Sequence, residues 1–311
     1  MNIVFFGSAE IAVPSLQALI NSGHRVVLVV TTPDSRKGRG YKLFASAVKR
    51  CALENGIALA QPASLKNEAT KKLIGDYAPD FFVVFAYGKI LPKALLSMPQ
   101  KCPLNIHASL LPRYRGAAPV QWALLNGDDV TGVTIMRMNE GVDEGDILLQ
   151  ESIKIEYSDD TASLQERLAV LGADLIGKTI ELISRGEPVF IPQDGKKATY
   201  APKLTKKDGE IDWRLDAKSI RNRVRACLPW PGAYTHLGMK MLKIWKCEVF
   251  SSKVQPPLPP GTVQTIRKDG IIVSTGNNFL VIKELQFENA KKLSAWDFIQ
   301  GHRLKEGDRL G

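Results

Sequence analysis

The sequence predicts an α/β domain built on a mostly parallel sheet, joined by a basic stretch to a small antiparallel β-barrel. Three observations predict it. Short runs that are apolar on both faces, at residues 3–6, 26–31 and 81–85, alternate with segments of helical periodicity, as strands do when helices cover both sides of a sheet. From residue 185 to 208 the chain becomes rich in Gly, Pro and Lys and loses its periodicity, the composition of an interdomain connection. Beyond it, short β-branched runs at 262–263, 271–273 and 280–282 are broken by Gly, Pro and Asn, which suits a small barrel better than further α/β structure. A chain of 311 residues is long enough for two domains with separate cores. The expected divisions are 1–184, 185–208 and 209–311.

In order along the chain, the first strand stops at Gly7, and residues 11–19 carry apolar side chains at helical spacing. A single glycine there marks a sharp backbone turn and falls short of a dinucleotide fingerprint. The second strand leads into a polar loop, 33–42, in which Arg36, Lys37, Arg39 and Lys42 crowd together with Asp34 as the one acid. Such a loop is suited to phosphate contacts. A helix over 43–55, a short strand near 57–60 and a polar helix over 67–76 precede the central strand at 81–85, and Tyr87, Gly88, Ile90 and Leu91 lie in the loop after it. Helices are expected over 119–125, 161–184 and 217–226, with a strand at 132–138. Lys196, Lys197, Lys203, Lys206 and Lys207, then Arg221, Arg223 and Arg225, are expected to carry positive charge toward the barrel. The proline run at 256–260 reads as a stiff connection between strands.

The chemistry is concentrated where the strand ending at residue 107 meets its loop. Asn105 and His107 are two apart, so a strand places them on one face, pointing into the crevice beyond the sheet's carboxyl edge. A polar, glycine-rich loop at 139–146 supplies a carboxylate, Asp143. With no serine or cysteine nucleophile elbow, the set suits proton transfer at an attacking amine better than covalent catalysis.

Composition narrows the classes further. At 44% hydrophobic and 24% charged, this is an ordinary globular composition. Lys+Arg 42 against Asp+Glu 32 gives a net charge of +10, an excess that favours a polyanionic partner, nucleic acid first. Cys51, Cys102, Cys227 and Cys247 have neither zinc-site spacing nor the density of a disulfide scaffold, so they are expected to be reduced and structural, with no metal. The N-terminal residues lack a signal-peptide pattern and no apolar run could span a bilayer. The expectation is a cytoplasmic protein that needs neither a membrane nor an obligate protein partner.

Several separated motifs occur in one order. Asn105-Ile106-His107-Ala108-Ser109-Leu110-Leu111-Pro112, Gly116-Ala117-Ala118-Pro119 and Val142-Asp143-Glu144-Gly145 resemble the folate-dependent formyltransferases. Ile211-Asp212-Trp213 and Pro229-Trp230-Pro231-Gly232-Ala233 resemble the start of that family's C-terminal domain. Ser8-Ala9 stands where the family usually has Thr-Pro, a departure that touches nothing catalytic. Within the family the resemblance runs end to end to the members that formylate methionyl initiator tRNA. It implies a Rossmann-like catalytic domain followed by an OB-like barrel that contacts tRNA. It implies 10-formyltetrahydrofolate as co-substrate, held by Tyr87, Gly88, Ile90 and Leu91 and by Ser109, Leu110, Leu111 and Pro112. Asn105, His107 and Asp143 are then catalytic, and the loop with Arg39 engages the acceptor arm of tRNA. Arg36, Lys37, Lys42, Lys203, Lys206 and Lys207 are the other cations expected on the tRNA. A formyltransferase acting on an amino-sugar nucleotide or on glycinamide ribonucleotide would keep the three catalytic residues but explains less of the basic loop. An RNA-binding module without catalysis leaves those three without a joint role.

Overall fold

The structure, a computed structural model, describes residues 1–37, 42–251 and 256–311. It has two compact units. The first comprises Met1–Pro119, Val130–Lys154 and Gln165–Pro202, and the second Val120–Asp129, Ile155–Leu164 and Lys203–Gly311.

In the first unit the elements are β1 (Asn2–Gly7), α1 (Val13–Ile20), β2 (Arg25–Val30), β3 (Ser35–Lys37), β4 (Lys42–Phe44), α2 (Ala47–Glu54), β5 (Leu59–Ala60), α3 (Glu68–Gly75), β6 (Phe81–Phe85), α4 (Lys93–Leu96) and β7 (Cys102–His107). Next along the chain come α5 (Pro119–Leu125), β8 (Val130–Arg137), β9 (Ile147–Lys154) and α6 (Thr161–Ser184), of which all of α5 but Pro119 and the first four residues of α6 belong to the second unit. Seven strands form one sheet in the order β5-β2-β1-β6-β7-β8-β9. From β5 to β7 every neighbour is parallel, while β8 and β9 are antiparallel. The chain fills one side of β1 first and then crosses to β6, so the strand order reverses between β1 and β6. That reversal is where open α/β sheets leave a crevice beyond their carboxyl ends.

The all-apolar run of β6 is buried on both faces, as a central parallel strand must be. Phe6 packs edge-on against Phe82 and Tyr87, with ring centroids 4.9 and 5.6 Å apart, and each buried apolar side chain of this kind contributes roughly 1.5–3 kcal/mol. Two local departures from the sequence reading have one cause each. Residues 43–44, expected to open a helix, lie in β4, paired with β3, because the helix begins only after Ser46, whose Oγ accepts the Lys49 N–H at 3.0 Å. Asn67 likewise stands outside α3 as its cap, 2.8 Å from the Thr70 nitrogen.

The second unit contains α7 (Ala217–Ala226), β10 (Ala233–Leu237), β11 (Lys240–Phe250), β12 (Val263–Arg267), β13 (Gly270–Ser274), β14 (Phe279–Phe287), β15 (Leu293–Ser294) and α8 (Ala295–Gly301). The sheet order is β10-β11-β14-β13-β12, with β15 on β14, and every pairing is antiparallel. Leu242, Ile244, Val263, Ile271, Val273, Leu280, Ile282, Leu285 and Phe298 fill the interior. The edge strands β10 and β12 are bridged by the chain's last residues. Leu310 pairs with Leu237 and Arg309 with Thr262, and the Leu310 and Gly311 N–H groups donate to Gly261 O at 2.8 Å and His236 O at 2.9 Å. The last residues thereby cover one end of each edge and draw the sheet toward a barrel.

Leu310 is buried in this seam, so Leu310→Ala is expected to lower the stability of the second unit by about 2–5 kcal/mol. Urea titration followed by tryptophan fluorescence reads this directly, since Trp213 sits in the barrel core with its Nε1 bonded to Thr235 Oγ1. An unchanged midpoint would mean that the seam carries no stability.

Candidate active site

Strand β7 pairs with β6 on one side and β8 on the other, with Asn105 opposite Val84 and Met136 and His107 opposite Thr134. Period-two alternation puts the Asn105 and His107 side chains on one face at the strand's end. Because β8 runs antiparallel, with Arg137 opposite Leu104, the loop after it starts level with the body of β7 and reaches the pair from the flank.

That loop delivers Asp143. Its Oδ1 accepts the Asn105 Nδ2–H at 3.2 Å, its Oδ2 accepts the Gly116 N–H at 2.8 Å, and the same Oδ2 lies 3.5 Å from His107 Nδ1. The side chains of His107 and Asp143 are 6% and 13% exposed, so these donors stand in for water around the carboxylate. The other ring nitrogen of His107, Nε2, is 2.9 Å from the Tyr114 carbonyl oxygen. A carbonyl only accepts, so Nε2 carries a hydrogen, and Nδ1 carries one only in the imidazolium form. In that form Asp143 is its counter-ion.

Asp143 adopts φ 53, the left-handed region, which costs a non-glycine residue about 1–3 kcal/mol. Two neighbours hold the turn. A Cβ on Gly145 would stand 1.7 Å from the Arg137 carbonyl oxygen, so only glycine lets the loop pass β8 so closely. Gln193 donates to the carbonyls of Asp143 and Gly145 at 2.9 and 2.7 Å.

The loop after β7 is fixed from beneath. The Thr134 hydroxyl donates to Ser109 O at 2.6 Å and accepts from Leu111 N at 3.1 Å and from Gln150 Nε2 at 2.8 Å. Its single donor and both lone pairs are filled. Gln150 also donates to Leu111 O at 2.9 Å, and Ser109 Oγ donates to Arg113 O at 2.6 Å. Leu111 is buried, while Leu110 and Pro112 are partly exposed. The neighbouring loop leaves β6 at the same edge. Tyr87 turns its ring into the core, where the hydroxyl meets no partner among the described residues and burial pushes the phenol up to about 12. The loop therefore offers its backbone, with Gly88 and Ile90 exposed and Leu91 buried. Among the described residues no group of His, Cys, Asp and Glu could hold a metal ion, and no helix is long and apolar enough to cross a membrane.

The basic residues divide into two kinds. Lys196, Lys197, Lys203, Lys206 and Lys207 are exposed. Arg36, Lys37 and Lys42 sit on β3 and β4, and Arg39 lies outside the described residues. The arginines of α7 correct the expectation of a continuous basic track. Arg221 is buried, with its guanidinium 3.5 Å over the Tyr157 ring and a hydrogen bond to the Tyr157 carbonyl. Arg223 donates to Asp208 O at 2.6 Å, and Arg225 donates to the carbonyls of Glu156 and Asp159, each at 3.3 Å, with burial lowering its pKa. Their charge is directed at backbone carbonyls.

Over residues 1–180 the chain matches the formyl transferase family, and over 203–303 that family's C-terminal domain. The chain belongs to the formyltransferase family. Among similar proteins, the methionyl-tRNA formyltransferase of Citrifermentans bemidjiense is 46% identical over all of this chain and 96% of its own length. That of Caldanaerobacter subterraneus subsp. tengcongensis is also 46% identical, over the whole of both chains. HypX from Aquifex aeolicus, solved in complex with tetrahydrofolic acid, shares the fold with a TM-score of 0.64 and 16% identity, covering 99% of this chain and 50% of HypX.

For this formyltransferase, Gly145→Ala forces the loop off β8 and is expected to cost activity while leaving the barrel intact. Turnover should fall by about 10²-fold, the penalty for reacting groups misplaced by about 1 Å, with the urea midpoint of the second unit unchanged. Wild-type turnover in this variant would show that the loop position does not matter.

Proposed function

We propose that this formyltransferase moves the formyl group of 10-formyltetrahydrofolate onto the free amino group of methionyl initiator tRNA, in the cytoplasm where charged tRNA is made and used. The observation that carries the reading is the 46% identity, end to end, with methionyl-tRNA formyltransferases. Folate supplies the formyl group, and the protein's part is to bind, orient and move a proton. The amine attacks the formyl carbon, the new C–N bond forms, and the carbonyl oxygen becomes an oxyanion before the folate nitrogen leaves. Asn105 has a second amide hydrogen beyond the one on Asp143, and a donor aimed at such an oxyanion is worth about 2.7–4 kcal/mol. His107 and Asp143 take up the amine's proton together, a role worth roughly 10²–10⁴ in rate.

In this reading the folate lies against Tyr87, Gly88, Ile90 and Leu91 on one loop and Ser109, Leu110, Leu111 and Pro112 on the next. The two loops leave adjacent parallel strands at one sheet edge, the usual address of a ligand in such folds. Arg36, Lys37, Arg39 and Lys42, with Lys203, Lys206 and Lys207, contact tRNA. No metal takes part.

His107→Ala and Asn105→Ala are expected to lower single-turnover formylation by at least about 100-fold at saturating substrates, with the Kd for methionyl-tRNA within about 2-fold of wild type. Near-normal rates in His107→Ala would remove the histidine from the chemistry. Arg39→Ala should weaken methionyl-tRNA binding and reduce its salt slope by about 0.7, the single-strand value for one phosphate contact. Arg39→Lys should recover only part of the affinity. Folate titration of the same variants should give the wild-type Kd; equal losses for folate and tRNA would make the loop a support for the domain.

A further inference from the structure

Gln193 has no part in the chemistry above, and nothing in the sequence marks it among the prolines and lysines that surround it. We propose that Gln193 is a positioning residue, setting the Asp143 carboxylate against its partners from outside the site. The inference rests on the reading of Asn105, His107 and Asp143 as the reacting set.

Every hydrogen-bonding position of the Gln193 amide is filled. Its Nε2 donates to the carbonyls of Asp143 and Gly145 at 2.9 and 2.7 Å, and its Oε1 accepts from Arg115 Nε at 3.1 Å and Nη2 at 2.8 Å. Carbonyls can only accept and a guanidinium can only donate, so the amide has one orientation and cannot flip. The two carbonyls bracket Glu144, so one side chain fixes both ends of the turn that carries Asp143 at φ 53. Arg115 is itself buried, with its remaining Nη1 3.3 Å from Glu144 Oε1. The next residue, Gly116, supplies the N–H that donates to Asp143 Oδ2 at 2.8 Å. Gln193 therefore ties the backbone that bears the carboxylate to the segment that donates to it. It contacts the carbonyl of Asp143 and not the carboxylate, so its effect on the reaction passes through Asp143.

Gln193→Glu keeps the acceptor for Arg115 but places a carboxylate oxygen where the donor to two carbonyls stood. Gln193→Met removes all four bonds without adding charge. In steady-state assays with methionyl-tRNA and 10-formyltetrahydrofolate, both variants are expected to lose about 10²-fold in kcat, with both KM values within about 3-fold of wild type. A role confined to holding the fold would move KM and stability along with kcat. The same substitutions in an Asp143→Ala background should cost less than about 3-fold, because the group they misplace is already gone. Wild-type kcat in Gln193→Glu and Gln193→Met, or losses that multiply with that of Asp143→Ala, would overturn the proposal. Unimpaired turnover in Asp143→Ala alone would instead sink the catalytic reading and the positioning role with it, so the two failures are distinguishable.

Discussion

A carboxylate that has given up most of its water must be met by donors from several directions, and the first unit is assembled around that demand at Asp143. Its partners come from two segments, the end of β7 and the turn containing Gly116. A hydrogen bond to a charged group is worth about 1.5–3 kcal/mol, comparable with the cost of the left-handed backbone that aims the carboxylate inward. The strain and its compensation therefore sit at one point. Reaching that point needs β8 to run antiparallel beside β7, needs a glycine at 145 to pass the Arg137 carbonyl, and needs a parallel strand order that leaves the edge open.

What the sequence revealed followed from how directly each residue's role depends on spacing. That Asn105 and His107 share a face was readable because a strand has a fixed period, whereas Asp143 was singled out from Glu140, Glu144 and Asp146 in the same loop only by the motif around it. Thr134, Gln150 and Gln193 were not readable, since they act on the backbone carbonyls and amides of residues remote in the chain, and any polar residue would look the same in a linear reading. The start of α2 was misread because residues 43–44 continue an apolar pattern, whereas the true boundary is set by the Ser46 hydroxyl. That the Tyr87 ring turns inward against Phe6 could not be read from its place in a loop, because tertiary packing decides it.

Charge misleads in a related way. A lysine and an arginine count equally toward the net +10, yet they behave differently here. The planar guanidinium matches carbonyl pairs and stacks on rings, while an ammonium stays hydrated. Arg221, Arg223 and Arg225 accordingly hold the turns around 156–159 and 208 within the second unit, and Lys203, Lys206 and Lys207 remain at the surface. Counting these three arginines as surface charge therefore overstates what the second unit presents to solvent.

The seam at residues 309–310 sets the order in which the protein can be completed. Pairing Leu310 with Leu237 and Arg309 with Thr262 closes long loops, whose entropy must be lost before the contact can stabilise anything. Every strand of the barrel is synthesised before the residues that join β10 to β12. Until those contacts form, β10 and β12 present unpaired edges on which a second copy can dock. The first unit, whose last segment ends at Pro202, makes no use of these pairings, so the interval of exposure belongs to the barrel and is ended by them.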